Sequence, residues 1–457
     1  LLRERGADLS RHGRVQDMLA ILCGRGELTL VGKLLDAGVE PRNSLALAKL
    51  VGNYDGHYGD CWGESDWPVD EAARLELLER LLQAGADPNS AIVHATTPAL
   101  RDALLRAGAS LDARTADGKT LLWKLPYETE EEIEEIHRLV ALGLDPNAVD
   151  ANGNTALFDA FSEQVEVLLA IGVDPLHRNG KGYLALHVNR DPDAIPLFVA
   201  HIPIDASEGH ASSRDSMSEP TLARSVPESE RVSIDTLADD GQSALGYALE
   251  AQQRPRAQAL LDAGAGPVGR GPLGRTPLYN ACRWGYTEIA QTLIERGAAL
   301  NEADELGFTA LHAAARTGQD DVVAMLLAAG AELEAQANDG STPLCVAGAR
   351  FRGEIPIAQL LLEAGAKPSR CPDHVFELAL ETPDLLAVAF EHGFVLPKRY
   401  AGDPPIFAVI RSARSSDLEL LHRRGFKLEG RNEAGETPLL YAIRQGNDAI
   451  AKQLLDW

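Results

Sequence analysis

Gly269 to Thr276 reads GRGPLGRT, the spacing of a loop whose backbone N–H groups cradle phosphates at the mouth of a helix. Arg275 stands where that loop needs lysine, and the motif needs a preceding strand and a long following helix, for which the surrounding pattern leaves no room. Asp150-Ala151-Asn152-Gly153-Asn154 begins like a calcium loop. Its sixth position is Thr155 and its twelfth is Phe161, where such a loop needs glycine and glutamate. His57, Asp60 and Cys61 are metal-ligating types crowded into one loop without paired spacing, and they read as loop polar groups. There is no H-E-x-x-H, and Gly241-Gln242-Ser243 lacks the second glycine of a nucleophile elbow. His312, set among small apolar residues, reads as a buried hydrogen-bonding group and not as a base. No catalytic residues, metal ligands or cofactor are expected, and the chain is read as a non-enzyme.

What organises these residues is a recurring unit. GRTPLYNACRWGYTEIAQTLIERGAALNEADE is followed by GFTALHAAARTGQDDVVAMLLAAGAELEAQAND and then by GSTPLCVAGARFRGEIPIAQLLLEAGA, so that Thr276, Thr309 and Thr342 stand 33 residues apart. Each threonine can cap a helix by accepting from an orphan backbone N–H. Pro277 and Pro343 follow at the first helical position, where a missing N–H is harmless. Leu278, Leu311 and Leu344 give a short first helix one apolar side, and Gly285, Gly318 and Gly353 stop it. The second helix places Val322, Val323, Leu326 and Leu327 at helical spacing, with ends at Gly297, Gly330 and Gly365. A polar connector with a turn glycine (Gly274, Gly307, Gly340) closes the unit. No unit this thin can bury its own apolar face, so neighbours must stack.

The period of 33 and the run Thr309-Ala310-Leu311-His312-Ala313-Ala314 resemble the ankyrin-repeat family and its T-P-L-H-x-A signature. The resemblance implies an all-α fold, an ankyrin-type α-solenoid of roughly thirteen helix-turn-helix repeats with degenerate N-terminal units. It also implies a concave protein-binding face made of connector tips and first helices. Carried over through the threonines, that face selects Arg275, Tyr279, Arg283, Trp284 and Tyr286, then Phe308 and Arg316, then Arg350 and Phe351, and in the last unit Tyr441 and Arg444. Tyr, Trp and Arg dominate interface energetics, so their concentration there is the sharpest functional signal in the chain. The competing reading is that the tyrosines and tryptophan only pack between units. Around Arg350 the first helix reads as two residues longer than the pattern.

Along the chain, residues 1-205 read as degenerate units, with a loop insertion at 52-70 that carries Tyr54, Tyr58, Trp62 and Trp67. Residues 206-233, dense in Ser, Glu, Pro and Arg, read as a long loop or an eroded unit, and 234-457 as well-formed units. The acidic run Glu128 to Glu135 reads as a solvated helix start.

Composition bounds the partners. The net charge of −25 disfavours DNA and RNA, which need a basic surface, and favours a protein. No apolar run approaches a membrane span and no signal peptide is visible, so no membrane is expected and the compartment is read as cytoplasmic. The five cysteines, an odd number without a C-x-x-C pair, are expected to be free thiols in a reducing compartment. The predominance of arginine over lysine and the abundant alanine fit a GC-rich bacterial gene. The function expected is a non-catalytic scaffold that binds a protein partner, as an adaptor or a toxin-neutralising immunity protein. The alternative is the targeting or regulatory arm of a larger enzyme.

Overall fold

The computed structural model describes residues 19–23, 28–36, 39, 44–51, 71–201, 234–348 and 357–457. The insertion at 52–70, with His57, Asp60, Cys61 and its aromatics, the stretch 206–233, and Arg350 and Phe351 lie outside them. The described residues before 202 belong to one compact unit and those from 234 onward to a second. Among the described residues regular structure is helical, with a single antiparallel bridge between Tyr400 and Asp403. No helix among them is long and apolar enough to cross a membrane.

The second compact unit shows why the sequence repeats. Thr276 is extended (φ −80°, ψ 161°), its hydroxyl accepts from Tyr279 N at 3.1 Å, and helix Pro277–Trp284 follows. Gly285 ends it in the left-handed conformation at φ 73°, where a side chain would be strained. Helix Thr287–Glu295 follows and packs against it. Thirty-three residues later the pattern recurs as Ala310–Thr317, Gly318 and Asp320–Ala328. Thr309 differs in its cap: its N–H donates to His312 Nδ1 at 3.2 Å and its hydroxyl meets the same nitrogen at 2.9 Å. Leu278, Ala281, Ile289 and Leu293 of one unit, and Leu311, Ala314, Val323 and Leu326 of the next, are all buried. Each large aliphatic among them stabilises the stack by roughly 1.5–3 kcal/mol.

The connectors also stack. Each closes a turn by one backbone bond, Gly271 N to Arg275 O at 2.8 Å, Asp304 N to Phe308 O at 2.9 Å and Ala337 N to Ser341 O at 2.8 Å. A second bond joins each to the preceding one, Glu305 N to Leu273 O at 2.8 Å and Asn338 N to Leu306 O at 2.9 Å. These bonds hold the tips in file, so the side chains they carry recur at matched places.

The unit opened by Thr342 departs from expectation. Among the described residues its first helix is a 3-10 turn, Leu344–Val346, and the lengthening expected around Arg350 lies outside them. Ala347 then turns to φ −57°, ψ 128°, and Gly348 N finds its acceptor in Ala315 of the preceding unit, at 3.1 Å. A backbone donor satisfied off the helix axis has no need of another helical turn. The expectation of free thiols is corrected at the same place. Cys345 and Cys371 form a disulfide, their Cα atoms 5.5 Å apart. The sequence held no clue to it, because the two cysteines meet only through the stacking of successive units. Cys23 and Cys282 are free and buried, and burial pushes the Cys23 thiol up to about 12.

In the first compact unit the second helices are full length, as in Pro98–Arg106, Glu130–Ala141 and Ser162–Ala170, while first helices after Ser44–Val51 shrink, as in Asn89–Ile92, Leu121–Lys124 and Ala156–Phe158. These are the places where the capping and small-residue signature is weakest in the sequence. The acidic run opens Glu130–Ala141: Thr129 accepts from Glu132 N at 3.3 Å, and the Glu132 carboxylate accepts from Thr129 N at 2.9 Å. Its last member is not solvated. Glu135 is buried between Arg101 (3.2 Å) and Arg138 (2.6 Å). Burial raises its proton affinity, but the hydrogen bonds from both guanidiniums outweigh that and hold it below the usual carboxylate range.

Candidate protein-binding surface

The sequence-selected residues divide into supports and exposed groups. Tyr279 is only 1% exposed and Tyr441 7%. The reading of tyrosines as packing between units describes these two. The Arg275 guanidinium lies over the Tyr279 ring at 5.3 Å and faces the buried Asp304 carboxylate at 3.6 Å. The exposed Arg316 stacks over Phe308 at 5.1 Å and donates to the Tyr279 hydroxyl at 3.3 Å. Tyr279, Arg275, Arg316 and Phe308 therefore form one cluster across two successive units.

Arg283 and Trp284 form a second cluster. The guanidinium stands 4.6 Å over the half-buried indole, whose Nε1–H is buried without an acceptor. Tyr286, one residue before helix Thr287–Glu295, donates to Gln252 O at 3.3 Å and carries Arg254 over its ring at 5.8 Å. In the last unit Arg444 lies over Tyr441 at 5.3 Å and pairs with Glu436 at 2.9 Å. Arg411 donates to the Tyr441 hydroxyl at 3.3 Å and belongs to the same cluster, although the sequence reading did not select it. The signal was available: Arg411 stands 33 residues before Arg444.

The other candidates have structural duties. One carboxylate oxygen of Asp150 accepts from Asn152 N (2.8 Å) and Asn154 N (2.9 Å) and the other from the Asn154 amide at 3.1 Å, so it braces a connector turn. Arg275 and Gly274 of the phosphate-loop lookalike sit in an equivalent connector, without a preceding strand among the described residues. His312 is fully buried, with Nε2 3.1 Å from Ser341 O and Nδ1 facing Thr309 N, which makes Nε2 the protonated nitrogen. Burial holds its imidazole below the ordinary range. Among the described residues no cluster of three His, Cys, Asp or Glu side chains could hold a metal ion.

Residues 221–304 and 297–370 match the family model described as ankyrin repeats in three copies. These residues are ankyrin repeats. Among solved structures, the chain is similar to the ankyrin repeat domain of Bcl-3, with 23% identity over 54% of this chain and 99% of that one (TM-score 0.39). It is likewise similar to the human ASB11 ankyrin repeat domain, with 20% identity over 55% of this chain and 100% of that one (TM-score 0.38). No curated protein matches the chain. The arginine–aromatic clusters around Tyr279 and Trp284 stand on the matched ankyrin units, whereas that around Tyr441 lies beyond them. Ankyrin repeats generally mediate protein–protein interaction.

Proposed function

We propose that this chain is a non-catalytic scaffold that grips a protein partner through the arginine–aromatic strip of its ankyrin units, as an adaptor or a toxin-neutralising immunity protein. The observation that carries this reading is the repeated stacking of guanidinium on aromatic ring, Arg283 on Trp284, Arg316 on Phe308 and Arg444 on Tyr441. A guanidinium laid on a ring has lost much of its rotamer freedom before any partner arrives. Such residues are the usual hot spots of interfaces. Tyr279 contributes by holding Arg275 and Arg316, not by touching the partner itself.

The partner is identified by affinity purification from the native cell with mass spectrometry of what co-elutes. Arg283→Ala combined with Trp284→Ala should then weaken its capture by about 2 kcal/mol or more, with helical circular dichroism unchanged. Undiminished capture removes the strip from consideration.

A further inference from the structure

In the second compact unit, successive units meet at one recurring point, the third residue after the capping position. Tyr279, His312 and Phe407 stand there, and each reaches the next unit without a covalent bond: Tyr279 accepts from Arg316, His312 reaches Ser341 O, and the Phe407 ring meets Tyr441 edge-on. Cys345 holds the same place after Thr342, and its sulfur is bonded to Cys371, the residue before helix Pro372–Glu381. That joint has a noncovalent tie as well, His374 Nε2 standing 2.9 Å from Ala347 O. The bond is therefore an addition to a joint of a kind that holds elsewhere without one.

Two features separate this pair from a buried structural bridge. Cys345 and Cys371 are half-buried, within reach of a small thiol, whereas Cys23 and Cys282 are buried and burial raises both their thiols. Cys371 also stands at the positive end of a ten-residue helix whose first turn no side chain caps. A thiolate in that position is stabilised, and a stabilised thiolate leaves faster. Asp373 in the same turn opposes the effect, so the reactivity of the two sulfurs decides between them.

We propose that the disulfide of Cys345 and Cys371 is a redox-sensitive latch between two stacked units, opened by a small monothiol of the glutathione class and closed by its oxidised form. The incoming thiolate attacks Cys345 Sγ, which lies 3.1 Å from the Thr342 hydroxyl, and forms a mixed disulfide. The bond between the two cysteines breaks with its electron pair on Cys371 Sγ. A second thiolate attacks the outer sulfur of the mixed disulfide and displaces Cys345 as a thiolate. Two monothiols are thereby oxidised to one disulfide and the protein pair gains two electrons. The protons that the monothiols release pass to the protein sulfurs or, where Cys371 stays a thiolate, to the buffer. Opening leaves the bond between His374 and Ala347 O in place and frees the turn Leu344–Val346 from the start of Pro372–Glu381.

The full chain, equilibrated in glutathione buffers, is quenched with N-ethylmaleimide and mapped by peptide mass spectrometry, which reads Cys345 and Cys371 apart from Cys61. The pair should be bonded in oxidised glutathione and open in a roughly hundredfold excess of the reduced form, a poise that structural disulfides resist. Circular dichroism should not change. Hydrogen exchange should quicken at Leu344–Val346 and in the first turn of Pro372–Glu381, but not in Ala310–Thr317. The trapped mixed disulfide should sit on Cys345, and Cys371 in Cys345→Ser should react with iodoacetamide about tenfold faster than Cys345 in Cys371→Ser. A pair still bonded in the reducing buffer is a structural bridge, and opening only with loss of helical signal is unfolding; either result overturns the latch. So does a pair that never bonds in oxidised glutathione, or one that opens without any change in exchange. Equal rates, or a mixed disulfide on Cys371, overturn the assignment of Cys371 as the leaving sulfur.

Discussion

His312 concentrates what single residues contribute here. Its ring caps the N-terminus of its own helix through Thr309 N and reaches Ser341 O of the following connector, tying two units with one imidazole. The bond from Thr309 N needs the neutral, Nε2-protonated form, because a protonated Nδ1 cannot accept; the Nε2–H donated to Ser341 O is made by either form. Its folded pKa lies below the ordinary 6.5, so the unfolded chain takes up the proton first. The stability it contributes is whole above pH 6.5 and is lost as pH falls from there through the lowered folded value. Glutamine at 312 can still accept from Thr309 N but cannot be protonated. The stability gap between the native chain and His312→Gln, read from denaturation midpoints, should therefore be widest near pH 8 and narrow below 6.5. A gap that does not change with pH would mean that His312 is not held neutral. At this scale the sequence placed His312 correctly in the interior and named Arg275, Arg283, Arg316 and Arg444, which lie over rings, but it missed Arg254 and Arg411 and could not tell exposed rings from buried ones. Tyr279, inside helix Pro277–Trp284, is 1% exposed, and Trp284, its last residue, is half-buried.

At the level of elements, the connectors decide whether units align. Gly307 (φ 84°) and Gly297 (φ 86°) share a left-handed backbone, yet their surroundings differ. A Cβ at 297 would meet nothing within 4 Å, whereas at 307 it would stand 2.7 Å from Asn338 N, the donor that joins neighbouring connectors. Gly297→Ala should cost about 1 kcal/mol, for conformation alone. Gly307→Ala should cost at least about 1 kcal/mol more, because the inter-unit bond must also shift. Equal losses in urea denaturation would show that the connector ladder contributes nothing. Helix starts and stops were legible from threonine, proline and glycine, since those residues act on backbone within one turn of themselves. The 3-10 turn at Leu344–Val346 was not, and the Gly348 N–H that follows it finds its acceptor, Ala315 O, in the preceding unit.

For the molecule as a whole, a solenoid is held by near-neighbour contacts, so a covalent tie between successive units matters more than its position on the surface implies. Cys345 and Cys371 close a loop of 26 residues. Reduction with a dithiol should lower the stability of the second compact unit by about 3 kcal/mol, and Cys345→Ser should match the reduced protein and no longer respond to reductant. Identical midpoints with and without reductant would mean that the pair does not bridge in solution.

The chain's local chemistry alone determined that it would form short helices at a 33-residue period and that their apolar faces would have to be shared. Capping, helix termination and amphipathic spacing act over a few residues and are written in contiguous text. Tertiary structure alone decided which arginines keep a free charge, which tyrosines become supports, and which cysteines meet. Those outcomes depend on a residue about one repeat away, as with Asp304 for Arg275, Tyr279 for Arg316 and Cys371 for Cys345, and burial and distance across that gap exist only once the units have stacked.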